Sequence, residues 1–239
     1  MLKKSSLALI VPCYNEVDCI PFFEKELRLF LEELKRVQIV PNIDFSVLIV
    51  DNNSTDGSLE LLKKLEASIE GLQVISCPVQ GYGAALKYGY AHARADYLAF
   101  LDLDNTYPLK SLIDMWKKLH QEDLDIVYGA RIHSNSDISI IRSLGNRLYV
   151  WLLRVLLGSK LSDVCSGMRI FKASKKGEVI ALKDNGLAFS IEFTALSVKN
   201  KWKLSEVPIA YRDRVGDSKL SVVKDGFLFL FVVMKKWQS

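Results

Sequence analysis

Five times between Leu7 and Arg131 a short apolar run ends in a polar cluster, and after each of the first four the spacing of apolar residues turns helical. Leu7 to Val11 stops at Pro12, and Asn15 stands where it can cap a helix whose apolar residues are Ile20, Phe23, Leu27, Phe30, Leu31 and Leu34. Phe45 to Val50 ends at Asp51, a polar turn runs to Gly57, and Leu59, Leu62, Leu65 and Ile69 mark one face of the next helix. Leu72 to Ser76 leads through Gly81-Tyr-Gly83 into a helix with Ala84, Ala85, Gly89, Ala91 and Ala93, small enough to approach a sheet closely. Tyr97 to Leu101 is followed by a helix with Leu109, Leu112, Ile113, Trp116 and Leu119, and Asp125 to Gly129 ends in Ala130-Arg131. Strands alternating with helices at this spacing predict an α/β domain: a parallel sheet covered on both faces, because right-handed crossovers place helices there. Every polar cluster follows the carboxyl end of a strand, so one rim collects Asn15, Asp51, Gly81, Asp102 and Arg131.

The fourth run ends in Asp102-Leu-Asp104-Asn-Thr-Tyr-Pro108. Two carboxylates one residue apart at a strand's carboxyl end put hard oxygen ligands where open α/β sheets hold their ligands. Mg²⁺ or Mn²⁺ is typically held by one or two carboxylates together with substrate phosphates, so the pair fits a nucleoside diphosphate better than an all-protein cage. The alternative is a capped turn, with Asp104 or Thr106 capping a helix that starts near Pro108.

With 239 residues, 49% of them hydrophobic, the chain can bury the core of one large domain. A net charge of +4 is too small to argue for nucleic acid but suits anionic substrates or a membrane surface. Cys13, Cys19, Cys77 and Cys165 have no CxxC spacing, and His92, His120 and His133 form no zinc-ligand pair, so the cysteines read as reduced and packed. Pro12 and Tyr14-Asn15-Glu16 cut the first apolar run too short for a signal peptide, which favours a cytoplasmic protein. No stretch reaches the roughly 18 apolar residues of a membrane-spanning helix.

Beyond Arg131 the alternation breaks. Between Ile138 and Leu161 stand Arg142, Arg147, Arg154 and Lys160 with no acidic residue, and Leu148 to Leu157 is apolar except for Arg154. With Tyr149 and Trp151, this segment reads as a helix lying against a bilayer or wrapping a lipid chain; the alternative is a core helix whose arginines snorkel outward. A short strand ends near Lys172, helices follow near Lys175 to Leu182 and from Ser190, and Leu204 to Tyr211 is a strand before the charged loop Arg212 to Lys219. Gly226 to Met234 holds eight apolar side chains in nine residues, an interfacial or buried tail.

Six blocks carry a resemblance: Val11-Pro-Cys-Tyr-Asn-Glu16, Val50-Asp-Asn-Asn-Ser-Thr-Asp-Gly-Ser58, Gly81-Tyr-Gly-Ala-Ala, Asp102-Leu-Asp104, Ser166-Gly-Met-Arg169, and Glu206-Val-Pro-Ile with Arg214-Val-Gly-Asp-Ser-Lys219-Leu. In this order they resemble the family-two inverting glycosyltransferases, most of all the dolichyl-phosphate mannose synthase and polyprenyl-phosphate glucosyltransferase group. The likeness runs from about Leu7 to Leu220. It implies a GT-A fold, Rossmann-like with a mostly parallel sheet, over residues 1–220, with 138–161 as an acceptor or membrane-interface helix and 221–239 as a tail. It implies transfer of a hexose from a nucleoside diphosphate sugar, of the UDP-glucose or GDP-mannose type, to a polyprenyl phosphate at the cytoplasmic face of a membrane.

Residue by residue, the resemblance assigns Pro12, Tyr14, Asn15 and Glu16 to the first nucleotide-binding loop, and Asp51 to the nucleobase. Gly83 falls where a side chain would obstruct the nucleotide. Asp104 becomes the direct Mg²⁺ or Mn²⁺ ligand, with Asp102 on the ribose or a metal-bound water. Where many members carry Leu-Gln after the second aspartate this chain has Asn105-Thr106-Tyr107, which makes Thr106 a candidate third ligand. Asn52 and Asn53 replace a common acidic residue and glycine, leaving base preference open. Arg131, Arg142 and Asn146 resemble acceptor-phosphate residues; Arg212, Arg214 and Lys219 face phosphates from the other side, with Arg131, Arg214 and Lys219 counted among the catalytic residues. Ser166 and Arg169 lie in the block that borders the sugar, and Glu192 is a loosely placed acid for a sugar hydroxyl or general base. Two alternatives stand beside this reading: a transferase for a saccharide or protein acceptor in cell-envelope polymers, and an inactive nucleotide-sugar or membrane-binding module.

Overall fold

The computed structural model describes residues 5–36, 43–131, 140–212 and 214, without the side chains of 140–145 and 157. Lys219, the tail 221–239 and the side chain of Arg142 therefore lie outside the described residues. The alternation expected from sequence is present: β1 (Ser5–Cys13), α1 (Ile20–Arg36), β2 (Ile43–Asp51), α2 (Ser58–Ser68), β3 (Leu72–Ser76), α3 (Tyr82–His92), β4 (Tyr97–Leu101), α4 (Ser111–Gln121) and β5 (Ile126–Arg131). Then come α5 (Ile140–Leu157), β6 (Met168–Lys172), a 3₁₀ turn (Ala173–Lys175) running into α6 (Lys176–Ile180), α7 (Phe189–Lys199) and β7 (Leu204–Ile209).

Among the described residues seven strands form one sheet in the order β3-β2-β1-β4-β6-β5-β7. All neighbours are parallel except β6, which runs antiparallel to both β4 and β5. The chain builds β1, β2 and β3 outward in one direction and then returns to place β4 on the other side of β1. That reversal opens a crevice at the carboxyl ends of β1 and β4, the place where such sheets bind ligands.

Residue alternation divides the core in two. Leu7, Leu9 and Val11 of β1, with Ala99 and Leu101 of β4, pack with apolar residues of α1, α2 and α4. Ala8 and Ile10 of β1, with Leu98 and Phe100 of β4, pack with α3, α5, α6 and α7 on the opposite face. Burial on both faces is why these strands read as continuous apolar runs. The small residues of α3 have a structural reason: a Cβ on Gly89 would come within 2.6 Å of Ile10 Cγ2 and 2.9 Å of Val50 Cγ2.

A buried ion pair fixes the return from α5 to β6. Arg131, the last residue of β5, donates from Nε to Asp163 Oδ2 at 2.6 Å and from Nη2 to Oδ1 at 2.7 Å, and its backbone N–H adds a third bond at 3.1 Å. The Ser162 and Asp163 N–H groups donate to Glu206 of β7, at 2.8 and 2.9 Å respectively to Oε1. Segment 162–163 is thus tied to two neighbouring strands. Burial works to raise the Asp163 carboxyl, but the Arg131 charge and hydrogen bonds outweigh it and hold the group below the usual carboxylate range.

Asp163→Ala leaves the Arg131 guanidinium in place without its counterion, which should cost about 3–5 kcal/mol. Urea unfolding should show this as a lower midpoint with an unchanged slope. Because the folded carboxyl is depressed, its contribution is present above the ordinary carboxylate pKa and is lost as pH falls toward the lower folded value. The variant should therefore be less sensitive to acid in that range than the wild type, and an unchanged midpoint at neutral pH would contradict the role given to the pair.

Candidate functional site

Three strand ends form the rim. β1 delivers Tyr14, Asn15 and Glu16, β2 delivers Asp51, Asn52 and Asn53, and β4 delivers Asp102, Asp104 and Asn105. Asn15, Asn53 and Asn105 have φ of 50°, 63° and 66°, so each strand turns sharply through a left-handed residue of a type that tolerates it. The first two loops brace each other. Asn15 N–H donates to Ser54 Oγ at 3.0 Å, Thr55 N–H to Asn15 Oδ1 at 2.8 Å, and Glu16 N–H to Ser58 Oγ at 3.0 Å. Asn15 is therefore a brace between loops and not the cap of α1, which begins five residues later. Asp56 receives the Val17 and Ser58 N–H groups at 3.0 Å each and holds the start of α2. Asp51 is buried and accepts the Ser54 N–H at 3.3 Å.

At the next loop, Asp104 is 4% exposed. Its Oδ1 accepts the Thr106 N–H at 3.2 Å and the Thr106 hydroxyl at 2.6 Å, while Arg214 Nη1 lies 3.0 Å from its Oδ2. Asp104 closes a local turn and does not cap α4, whose first turn is led in by the Pro108, Leu109 and Lys110 carbonyls. Asp102 receives the Tyr82 hydroxyl on Oδ1 at 2.8 Å. Its Oδ2 rests against Gly167, where any Cβ would collide with it. Gly167 is held there by its own N–H, donated to the Tyr107 hydroxyl at 2.8 Å. Burial first, and the Asp104 charge second, push the Asp102 carboxyl up to about 7. The two acids present hard oxygens of the kind that bind a divalent cation, with the Arg214 guanidinium beside Asp104.

Among the described residues no group of three or more His, Cys, Asp or Glu side chains could hold a metal unaided. The nearby thiols do not change that: burial, followed by Asp51 for Cys13 and by the Glu16 hydrogen bond for Cys19, pushes both to about 12. Two carboxylates fill too few positions for Mg²⁺ or Mn²⁺, whose remaining ligands then fall to water and diphosphate oxygens. The residues present fit such an ion bound together with a nucleotide.

Other residues singled out in the sequence are placed differently. Gly83 has a packing reason to be small: its Cβ would lie 2.6 Å from Phe189 Cβ and 2.8 Å from the Asp184 carbonyl oxygen. The Gly83 and Ala84 N–H groups at the start of α3 donate to the Gly186 and Asn185 carbonyls at 3.2 and 3.0 Å, so these amides do not face the rim. Ser166 and Arg169 are both 0% exposed, which removes them from contact with an acceptor. The Arg169 guanidinium lies 5.6, 4.8 and 5.2 Å from the ring centroids of Phe100, Tyr128 and Phe193. It donates to the Ser166, Val164 and Ser190 carbonyls, and so works under the rim as a brace between the loop before β6 and α7.

Arg131 is engaged with Asp163 and stands over the Tyr211 ring at 5.5 Å. Arg212 reaches Glu26 with both Nη atoms, at 2.8 and 3.1 Å, and Asn105 Oδ1 with Nη1 at 3.3 Å. Arg214 bridges Glu16 Oε1, at 2.9 Å, and Asp104. Glu192 is buried and accepts the Asp184 N–H at 3.0 Å. Asn146 is buried on α5, and its Oδ1 finds no partner among the described residues. Pro12 sits within β1, paired with Val50. Tyr82, Tyr107, Gly167 and Asp163 shape the site and were not identified from sequence, although Tyr82 and Gly167 lie inside blocks already quoted.

Residues 8–177 match the family model described as glycosyl transferase family 2. The chain is 28% identical over 226 residues to the low-salt glycan biosynthesis hexosyltransferase Agl6 of Haloferax volcanii, covering 93% of this chain and 51% of that protein, about half its length. It is 27% identical over 221 residues to a dolichyl-phosphate hexose transferase of the same organism, covering 92% of this chain and 89% of the relative. Among solved structures, glucosyl-3-phosphoglycerate synthase of Mycobacterium tuberculosis, crystallised with Mn²⁺, UDP and glucosyl-3-phosphoglycerate, superposes with a TM-score of 0.71 at 18% identity. That superposition covers 98% of this chain and 80% of the synthase. The strand order, the helices on both faces and the acid pair beyond β4 are GT-A architecture, and the chain belongs to glycosyl transferase family 2.

Proposed function

We propose that this protein transfers a hexose, with inversion, from a nucleoside diphosphate sugar to a polyprenyl phosphate. The observation that carries the reading is the acid pair Asp102 and Asp104 at the switch point of the sheet, Asp104 buried and Asp102 partly buried, each with one oxygen held by a hydroxyl, of Tyr82 and Thr106 respectively. The similarity to a dolichyl-phosphate hexose transferase along nearly the whole chain supports the acceptor, and the UDP and Mn²⁺ held by the M. tuberculosis synthase agree with the donor and the cation.

A bound Mg²⁺ or Mn²⁺ would neutralise charge collecting on the departing diphosphate. The chain's own residues do the rest. Asp104 offers Oδ2, since Thr106 occupies Oδ1. Thr106 orients that carboxylate by donating its hydroxyl proton to Asp104, and its oxygen keeps lone pairs with which it could serve as a further ligand. Asp102 is aimed by Tyr82 and Gly167. Tyr14, Asn15 and Glu16, with Asp51, border the nucleotide from the β1 and β2 side. An acceptor phosphate oxygen attacks the anomeric carbon as the bond to the diphosphate breaks, and that electron pair leaves with the nucleoside diphosphate. A phosphate nucleophile arrives ionised, so transfer depends on alignment and charge more than on a general base. Arg214 and Arg212 bring cationic groups to this side of the rim, and Asn146, Arg142 and Lys219 complete the acceptor set read from sequence.

The helix α5 supports a membrane location. Tyr149, Leu152 and Leu153 are buried in the core, whereas Leu148, Trp151 and Val155 are 48%, 57% and 60% exposed on the outer side. Arg147 and Arg154 are exposed beside them. No helix among the described residues is long and apolar enough to cross a membrane. An apolar outer stripe edged by arginines suits peripheral binding to an anionic lipid surface, here the cytoplasmic face.

Asp104→Ala should abolish formation of lipid-linked sugar from polyprenyl phosphate, Mn²⁺ and labelled UDP-glucose or GDP-mannose; retained turnover removes Asp104 from the reaction. If a saccharide is glycosylated and the lipid is not, the acceptor assignment is wrong. Gly167→Ala forces the Asp102 carboxylate aside and should lower kcat at least about tenfold, a loss of roughly 1.4 kcal/mol in transition-state stabilisation. Trp151→Ala with Val155→Ala should weaken sedimentation with phosphatidylglycerol vesicles by about tenfold, given the apolar area removed. Equal sedimentation would place the contact elsewhere.

A further inference from the structure

Arg214 occupies the oxygen that a cation needs. Of the two carboxylate oxygens of Asp104, Oδ1 already accepts two hydrogen bonds from Thr106, and Oδ2 faces Arg214 Nη1 at 3.0 Å. The same guanidinium donates from Nη2 to Glu16 Oε1 at 2.9 Å, joining the loops after β1 and β4. Both carboxylates are largely withdrawn from water, so the attraction is little screened. A guanidinium and a divalent ion on one carboxylate oxygen repel each other at short range, so each weakens the hold of the other.

The position of Arg214 is also incomplete. Its Nε is buried and has no hydrogen-bond partner among the described residues, a desolvated donor that the two acids do not satisfy. Residues just before it are anchored independently: the Arg212 N–H donates to the Thr106 carbonyl at 3.0 Å, the Arg212 guanidinium holds Glu26, and the Tyr211 ring meets Tyr107 edge-on at 5.5 Å. Arg214 can therefore leave the acids while Tyr211 and Arg212 stay docked.

We infer that Arg214 is a placeholder for the divalent cation: guanidinium and cation hold Asp104 in turn, and the arriving diphosphate draws Arg214 away by giving its N–H groups an anion. The inference rests on the proposed donor and metal site. It makes cation and nucleotide bind as a pair. The cation alone must displace Arg214 from two acids, whereas the cation with a diphosphate offers Arg214 a new partner, for which a planar guanidinium is well shaped. The Arg214 contacts to Glu16 and Asp104 would then close the rim of the donor-free protein and prevent a bare cation from settling there.

The test is Mn²⁺ binding to the whole chain without nucleotide, read from the electron paramagnetic resonance of free Mn²⁺, in wild type, Arg214→Ala, Arg214→Gln and Arg214→Lys. Removing one positive charge from beside the acids should tighten Mn²⁺ binding by at least about tenfold in the Ala and Gln variants, with Lys close to wild type. UDP or GDP should raise Mn²⁺ affinity strongly in the wild type and much less in Arg214→Ala. A purely structural arginine would give no gain of affinity on removal. Unchanged or weaker donor-free binding in Arg214→Gln, with a wild-type thermal melt, overturns the inference and leaves the proposed function standing. Failure of wild type to bind Mn²⁺ even with UDP or GDP overturns both.

Discussion

Two carboxylates placed one residue apart, and removed from water at the end of a buried strand, are the constraint on which the rest of the site depends. Left alone, such a pair repels itself; burial first and the Asp104 charge second push the Asp102 carboxyl up to about 7. The fold keeps the arrangement by fixing each oxygen separately. Tyr82 holds one oxygen of Asp102 and Gly167 bounds the other, while Thr106 holds one oxygen of Asp104 and Arg214 the other. The Arg214 guanidinium at Asp104 is shared with Glu16, and under the proposed function a cation arriving with an anionic donor would add the remaining positive charge.

The supports for that pair reach back into the sheet. Gly167 rests against Asp102 because the segment before β6 is pinned by Arg131 to Asp163, by Glu206 to Ser162 and Asp163, and by Arg169 to three carbonyls. A guanidinium enclosed by three aromatic rings contributes about 0.5–2 kcal/mol for each favourable ring contact, and more importantly it permits one geometry for its carbonyl partners. Antiparallel β6 is the device that brings this segment back to the carboxyl end of β4. A strand running the other way would have delivered Gly167 to the far side of the sheet.

The alternation of strands and helices was legible because burial on two faces leaves unbroken apolar runs, and amphipathic helices leave a 3.6-residue period. The pair Asp102 and Asp104 was legible for a local reason too, since both acids come from one strand end. The packing of Gly83, Ser166 and Arg169 was not legible because their surroundings come from distant segments. Nothing near Gly83 in the chain announces that Phe189 and Asp184 close over it, and an arginine in a polar block reads as a ligand residue until Phe100, Tyr128 and Phe193 are seen around it. Tyr82 escaped notice for the opposite reason: the glycines on either side carried the signal. The helix α5 has one side in the core and bears Trp151 and Val155 outward on the other.

The central claim is that the acids beyond β4 bind a divalent ion together with a nucleoside diphosphate. Anomalous diffraction from crystals grown with Mn²⁺ and UDP or GDP tests it most directly. One strong Mn²⁺ peak bonded to Asp104 is expected, with diphosphate oxygens completing its shell and Arg214 turned toward the diphosphate. A Mn²⁺ peak and diphosphate bound away from Asp102 and Asp104 would contradict it.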